Sequence, residues 1–238
     1  MTRRRWIADE VSGNRAALTG SHAEHLSRVL RARIGQEFDI ATGLDLRRGE
    51  ITSITEARIE FELGEVIPVN PYPNITLAMS IFKFDRMEWA IEKCTELGAS
   101  RIIPTIASRT EPHLAAAASK RRERWERVAR QASEQSRRLV PPEISEPTKL
   151  KELTGLQAGL RIVLSEVEPG VMLKQVLESN PSGGNVILAT GPEGGWTGAE
   201  LDLFHQAHWI SASLGSTILR SETAATAALA VVVSNVPA

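Results

Sequence analysis

Cysteine is almost missing from this 238-residue chain: Cys94 stands alone, so an intrachain disulfide is excluded and a reducing compartment is compatible. Nothing around Cys94 in the sequence suggests a base that would make it a nucleophile, and it reads as a small buried hydrophobe. Long apolar runs are missing too. The longest, residues 224–233, is broken by Thr226 and falls far short of the ~20 residues that span a bilayer. The N-terminal Arg3, Arg4 and Arg5 have the charge of a secretory leader without an apolar segment behind them, so a cytoplasmic protein with no membrane partner is expected. Neither GxxxxGK[ST] nor GxGxxG occurs, and a ligand held mainly by its phosphates is therefore not expected. No HExxH occurs either. The pairs His22/His25 and His205/His208 lack companion ligands, and no metal is expected. Net charge is only −1, with 42% hydrophobic and 24% charged residues, which suits one large domain or two modest ones with cores of their own.

What is present changes character near residue 70. Pro68, Pro71 and Pro73 disfavour helix and remove backbone donors, marking a boundary. Before it, residues 36–40, 49–54 and 58–63 alternate apolar with polar, the period of half-buried strands, and Thr42-Gly43 supplies a turn. One helix is predicted there over residues 21–31, with Ser21 and Glu24 as a capping box and Leu26, Val29 and Leu30 on one face. After the boundary, strand patterns at 74–81, 101–106, 160–164, 185–190 and 209–213 interleave with helical ones at 85–97, 119–137, 171–179, 197–205 and 222–233. That alternation predicts an α/β domain with a mostly parallel sheet covered on both faces.

Two glycine-bearing segments stand out in this second half: LATGPEGGWTG at residues 188–198 and LGSTILRSETA at residues 214–224. Each follows a short apolar run and opens into a helical pattern. Two such loops at the carboxyl ends of strands would build one small-molecule cleft, because glycine permits positive φ and close backbone approach.

Near-neutral charge conceals a basic stretch. Residues 120–138 carry eight Lys or Arg against three Glu. At helical spacing Arg127, Arg130 and Arg137 lie near one face while Trp125, Val128 and Ala132 supply an apolar one. Two readings stand: a solvated helix face with i,i+4 ion pairs, or a phosphate-contacting surface continued by Arg3, Arg4, Arg5, Arg28, Arg31, Arg33, Arg47 and Arg48.

The loops, the basic helix and the small first segment together resemble the small-subunit ribosomal RNA uracil-N3 methyltransferases of the SPOUT superfamily. The resemblance runs almost end to end: residues 22–31, EKCTELG at 92–98, Glu134-Gln135-Ser136 with Arg138, TGPEGG at 190–195, and Leu214-Gly215 with ILRSETA at 218–224. It implies a PUA-like β-barrel RNA-binding domain over residues 1–70 and a SPOUT methyltransferase domain with a trefoil knot over residues 74–238. It also implies S-adenosylmethionine as donor, 16S ribosomal RNA within the small subunit as substrate, and a homodimer.

The resemblance assigns candidate roles. Thr190, Gly191, Pro192, Glu193, Gly194 and Gly195 would form the first donor loop, and Leu214, Gly215, Ile218, Leu219, Glu222 and Thr223 the second. Glu193 and Glu222 have a capping reading beside this one, and so does the Thr223 hydroxyl. Arg3, Arg4, Arg5, Arg28, Arg31, Arg127, Arg130 and Arg137 would contact RNA. Methylation at uracil N3 requires loss of its proton and stabilisation of the anion beside the sulfonium methyl. Arg138 is the leading candidate for the stabilising cation, with a phosphate or intersubunit contact as its other reading; Arg220 would support the donor loop or orient RNA. Neither guanidinium can act as a base, which leaves solvent, Glu222 or another carboxylate. The chain departs from the family pattern at Arg137, where glycine is common, at residues 139–142, where a more basic stretch is common, and at Thr217, where a further arginine is common. Two alternatives stay open: a SPOUT enzyme acting on another base or a ribose 2′-hydroxyl, and a non-catalytic RNA-binding assembly protein.

Overall fold

The computed structural model describes residues 5–69, 73–168, 170–180 and 185–235. The chain divides into two compact units, Met1–Asn70 with Ser133–Val140, and Pro71–Ala132 with Pro141–Ala238.

The first unit is built on β1 (Arg5–Ile7), β2 (Glu10–Ser12), β3 (Arg15–Thr19), α1 (Gly20–Glu24), β4 (Glu37–Ala41), β5 (Leu46–Ile54) and β6 (Arg58–Ile67). These strands form one sheet in the order β1-β4-β5-β6-β3-β2, antiparallel except where β1 runs parallel to β4. Alternation places Phe38, Ile40, Ile51, Ile59, Phe61 and Leu63 on the inner face, where they pack with Trp6, Leu18 and Leu26. Gly49 has a packing reason: a Cβ there would lie 2.5 Å from Ile40 Cγ1.

The helix expected over residues 21–31 differs in detail. It starts one residue earlier, its N-cap Thr19 makes no side-chain cap bond, and the Ser21–Glu24 capping box is not formed. From His25 to Val29 it loosens into a π-turn, closed by the Leu30 N–H donating to the His25 carbonyl at 3.1 Å. The wider turn carries Val29 off the apolar face and leaves it 65% exposed, while Leu26 stays buried.

The second unit contains β7 (Asn74–Ser80), α2 (Phe84–Leu97), β8 (Arg101–Ile106), α3 (Pro112–Ala117), α4 (Arg122–Gln135), β9 (Glu143–Ile144), β10 (Thr148–Lys149), α5 (Leu150–Thr154), β11 (Leu160–Leu164), α6 (Leu173–Ser179), β12 (Asn185–Thr190), α7 (Gly198–Gln206), β13 (Ile210–Ala212) and α8 (Ser221–Asn235). Its sheet runs β10-β8-β7-β12-β11-β13, with β9 also on β8, and every pairing among the described residues is parallel. Parallel strands are buried on both faces, and β7, β8, β11 and β12 are accordingly near-continuous apolar runs. On one face Leu77, Met79, Ile162 and Leu188 pack against α2, α6 and α8 through Ile91, Leu173, Ala225 and Leu229. On the other, Ala78, Val163, Ile187 and Ala189 meet Leu153 of α5 and Phe204 of α7, the latter flanked by Trp196 and Trp209 with ring centroids 5.1 and 5.0 Å away.

The termini of the helices follow local chemistry. Gly98 ends α2 in the left-handed conformation at φ 109°, with its N–H donating to the Thr95 carbonyl. Thr197 caps α7 in a complete capping box with Glu200. The helix expected over residues 119–137 is shorter than its pattern: Ser119–Arg121 is a 3-10 turn, and after α4 the backbone turns left-handed at Arg137, φ 61°.

Candidate functional site

Because β11, β12 and β13 are neighbours and parallel, the loops that follow them leave the sheet at one edge. These loops and the start of α8 enclose a cleft. Leu164, Ser165 and Glu166 line it after β11; Gly191, Pro192, Gly195 and Trp196 after β12; Ser213 through Leu219 after β13; Ser221 and Ala224 close it from α8. A cleft outside the carboxyl ends of adjacent parallel strands is where open α/β sheets hold small ligands.

The backbone explains the glycines. Gly195 has φ 69°, and a Cβ there would collide with the Glu166 carboxylate. Gly215 has φ 137°, with open space beyond its Cα. At Gly191 a Cβ would press on the indole of Trp196 at 3.3 Å. That indole is held in turn by its N–H donating to the Leu164 carbonyl at 2.9 Å, so the β12 loop is pinned to the end of β11. Two arginines from other loops add to the restraint. Arg109 donates to the Gly194 carbonyl, and to that of Trp196 at 3.5 Å. Arg86, in the first turn of α2, donates to Glu193 at 3.0 Å and stands 3.8 Å from Glu222.

Glu200 fastens the same region from beneath. It is 4% exposed, and its carboxylate accepts the Ser108 N–H at 2.7 Å, the Thr197 N–H at 2.8 Å and the Thr197 hydroxyl at 2.9 Å. Burial pushes this carboxyl up, but the Thr197 and Ser108 donors push it down further, leaving it below the ordinary glutamate value.

Of the expected donor-binding residues, Gly191, Pro192, Gly195, Leu214, Gly215, Ile218 and Leu219 line the cleft. Gly194 stands behind it against Arg109, while Glu193 and Glu222 converge on Arg86. Thr190 ends β12 and is fully buried; Thr223 is exposed on the first turn of α8. Arg220, between the cleft loop and α8, is exposed. Arg86, Arg109 and Glu166 are additions that sequence reasoning misses: no local pattern marks them, and each comes from a different loop.

Arg138 belongs to the stretch grouped with the first unit; it is 4% exposed, and its Nε donates to the Val140 carbonyl at 3.2 Å. In that unit Arg5 donates to the Arg137 carbonyl, Arg28 pairs loosely with Glu56 at 3.5 Å, and Arg31 has φ 51°. Arg3 and Arg4 lie outside the described residues. His22 bridges Asp9 and Glu134 at 3.3 and 3.2 Å, a packing role. On α4, Arg122 is paired with Glu126 and Glu146, and Arg124 with Glu88, so part of the basic run is the ion-paired face. Arg127 is exposed and shares a shallow groove with Arg130, Glu123 and Glu126. Among the described residues, no group of three or more His, Cys, Asp or Glu is arranged to hold a metal ion, and no helix is long and apolar enough to cross a membrane.

Compared with known proteins, residues 68–233 match a family described as an RNA methyltransferase domain. The chain is 33% identical over 218 residues to the ribosomal RNA small subunit methyltransferase E of Synechocystis sp., a match covering 90% of this chain and 71% of that protein. Among solved structures, a ribosomal RNA small subunit methyltransferase E of Neisseria gonorrhoeae bound to S-adenosyl methionine superposes with a TM-score of 0.83 at 28% identity, covering 96% of each chain. A Legionella pneumophila protein in complex with the same cofactor gives 0.83 at 26% identity, covering 98% of this chain and 97% of that one.

Proposed function

Because the chain belongs to the family of the ribosomal RNA small subunit methyltransferases E, we propose that it transfers a methyl group from S-adenosylmethionine to N3 of a uridine in 16S ribosomal RNA. The observation that carries this reading is the cleft at the carboxyl ends of β11, β12 and β13. The donor fits it chemically. An adenosine needs apolar walls and backbone hydrogen-bonding groups more than a phosphate cradle, and here Leu214, Ile218 and Leu219 stand beside the bare backbone of Gly191, Gly195 and Gly215. Ile218 is 87% exposed, an apolar side chain at the cleft with nothing covering it, and a bound adenine would remove that surface from water. Glu166 adds an exposed carboxylate suited to the donor's hydroxyls or cationic groups.

In this reading the donor supplies an electrophilic methyl on a sulfonium, and the protein supplies orientation and charge. Arg138 stabilises the uracil anion, Arg220 orients RNA at the mouth of the second loop, and Arg3, Arg4, Arg5, Arg28, Arg31, Arg127, Arg130 and Arg137 contact phosphates. Residues 1–70 act as a PUA-like RNA-binding domain, and residues 74–238 as a SPOUT domain whose C-terminal loops are threaded as a trefoil knot. The working form is a cytoplasmic homodimer acting on the small ribosomal subunit. These assignments rest on the family resemblance of the motifs.

The test is incubation of the purified chain with labelled S-adenosylmethionine and undermethylated small subunits, followed by mass spectrometry of the nucleosides. N3-methyluridine is the expected product, lost on Arg138→Ala. A methyl on a ribose hydroxyl or another base overturns the target assignment. RNA binding without donor binding overturns the enzymatic reading in favour of an assembly protein.

A further inference from the structure

Glu222 is a carboxylate in an unusual position. It sits on the first turn of α8 on the same helical face as Ala225 and Leu229, which pack into the core, and the residue is 9% exposed. One carboxylate oxygen, Oε1, lies 3.8 Å from Arg86 Nε, while the other, Oε2, is buried with no hydrogen-bond partner. Leaving a buried carboxylate oxygen unpaired is costly, and such groups in native proteins call for an explanation. Capping does not supply one, since a capping carboxylate would spend that oxygen on a backbone N–H. A second orphan accompanies it. Thr190, 1% exposed, closes β12 on the side that Val186 and Leu188 present to α8, and its hydroxyl also has no partner. Ser221 and Ala224, on either side of Glu222, line the donor cleft.

We infer that Glu222 is the proton acceptor for the target uracil, its free Oε2 receiving the N3 proton. The inference rests on the proposed uracil-N3 methylation and assigns the base that reaction requires. Along its pairing edge uracil presents an acceptor, the N3–H donor and a second acceptor. Glu222 offers the complementary acceptor, and the Arg86 guanidinium beside it is a donor. Cytosine has no proton on N3 and would set its lone pair against the carboxylate, so the same group selects the base. In the step, the N3–H bond breaks and its proton passes to Oε2; the electron pair left on N3 forms the bond to the donor's methyl carbon. The carbon–sulfur bond breaks with its electron pair going to sulfur, which becomes a neutral thioether, and Glu222 returns the proton to water. Arg86 is a positioning residue: held by Glu193 at 3.0 Å, it stands 3.8 Å from Oε1 and leaves Oε2 as the free oxygen.

The test compares the full-length wild-type chain with Glu222→Gln, which keeps the shape of the side chain and removes its basicity. Rates are read as N3-methyluridine formed in single turnovers on undermethylated small subunits. Donor affinity is read by calorimetry, and the pH dependence of the rate is recorded alongside. Expected is a loss of about 100-fold or more, unchanged donor affinity, and disappearance of the acid limb of the wild-type profile. Partial recovery is expected on reconstituted subunits carrying 5-fluorouridine at the target, whose N3 proton is more acidic. A rate within threefold of wild type overturns the inference while leaving the proposed function intact. So does a loss that comes with weakened donor binding, or one that 5-fluorouridine does not relieve. Should Glu222→Gln fail to fold, Glu222→Asp decides: a slower enzyme that keeps the acid limb supports the inference, and a profile without that limb overturns it. Absence of N3-methyluridine from the wild-type chain sinks the proposed function and this inference with it.

Discussion

Replacing Glu200 by alanine isolates the contact that ties the loop after β8 to the start of α7. The substitution leaves the N–H groups of Ser108 and Thr197 without the carboxylate that accepts them at 2.7 and 2.8 Å, and dissolves the capping box. Each orphaned donor costs about 1–3 kcal/mol when buried. Ser108 is exposed and Thr197 half-buried, so water recovers part of that, and the lower half of the range applies to both. The expected loss is about 2–4 kcal/mol, a fall in Tm of roughly 4–16 °C for a chain of this length. Tryptophan fluorescence reads it locally, since Trp196 and Trp209 pack on Phe204 of α7. The pH dependence gives a second handle. A carboxyl held below its ordinary value stabilises the fold in full above the unfolded value of about 4.3, and that contribution disappears as pH falls through the folded value. Glu200→Gln removes the titration, so urea midpoints of wild type and Glu200→Gln converge as pH is lowered from 7 through the glutamate range. A gap between them that stays constant with pH, or a Glu200→Ala variant as stable as wild type, refutes the argument.

Two further outcomes follow from single residues. Burial pushes the Cys94 thiol up to about 12, against the opposing Thr226 hydroxyl, so a thiol reagent at pH 8 labels the unfolded chain and leaves the native one unmodified; labelling of native protein at the rate of free cysteine contradicts this. Arg137 holds φ 61°, which costs a side-chain-bearing residue about 1–2 kcal/mol, and glycine returns part of that through its greater unfolded freedom; Arg137→Gly is therefore expected to change stability by no more than about 1 kcal/mol, and in the stabilising direction. Denaturant midpoints check it, and a clear destabilisation shows that the arginine side chain contributes more than its backbone loses.

That same residue shows how sequence and structure inform each other. By the family resemblance of its motifs, Arg137 stands where glycine is expected and reads in the sequence as a departure at an RNA-contacting surface. In the fold it is a left-handed turn that ends the basic helical pattern, a conformation that suits glycine without reference to RNA. The strands β7, β8, β11 and β12 were legible because burial on both faces demands short unbroken apolar runs, and α2 because its period ends at a glycine able to cap it. The short strands β1, β2 and β3 left no such trace. At three to five residues they are too short for alternation to emerge from chance; β2 and β3 pair as a local hairpin, while β1 and β3 also pair with the distant strands β4 and β6. The π-turn after α1 was invisible for a different reason. The spacing that puts Val29 on an apolar face presumes a regular helix, and the sequence carries no separate mark for a wider turn.

The site divides along the same line. Its glycine loops were legible because positive φ and close packing restrict residue choice within a few positions of one another. Arg86, Arg109, Glu166 and Glu200 come from four other places, and only a parallel sheet that gathers the ends of β7, β8 and β11 and the start of α7 brings their charges toward the same loops. An arginine in the first turn of α2 is, by helix electrostatics, in an unfavourable place, since the helix dipole disfavours a cation there. Its retention beside Glu193 and Glu222 makes sense when those two carboxylates supply the compensating charge. Arg86 is therefore the shared charge partner of both: removing it would leave Glu193 and Glu222 without the guanidinium that stands 3.0 and 3.8 Å from them, two neighbouring carboxylates with no cation between them.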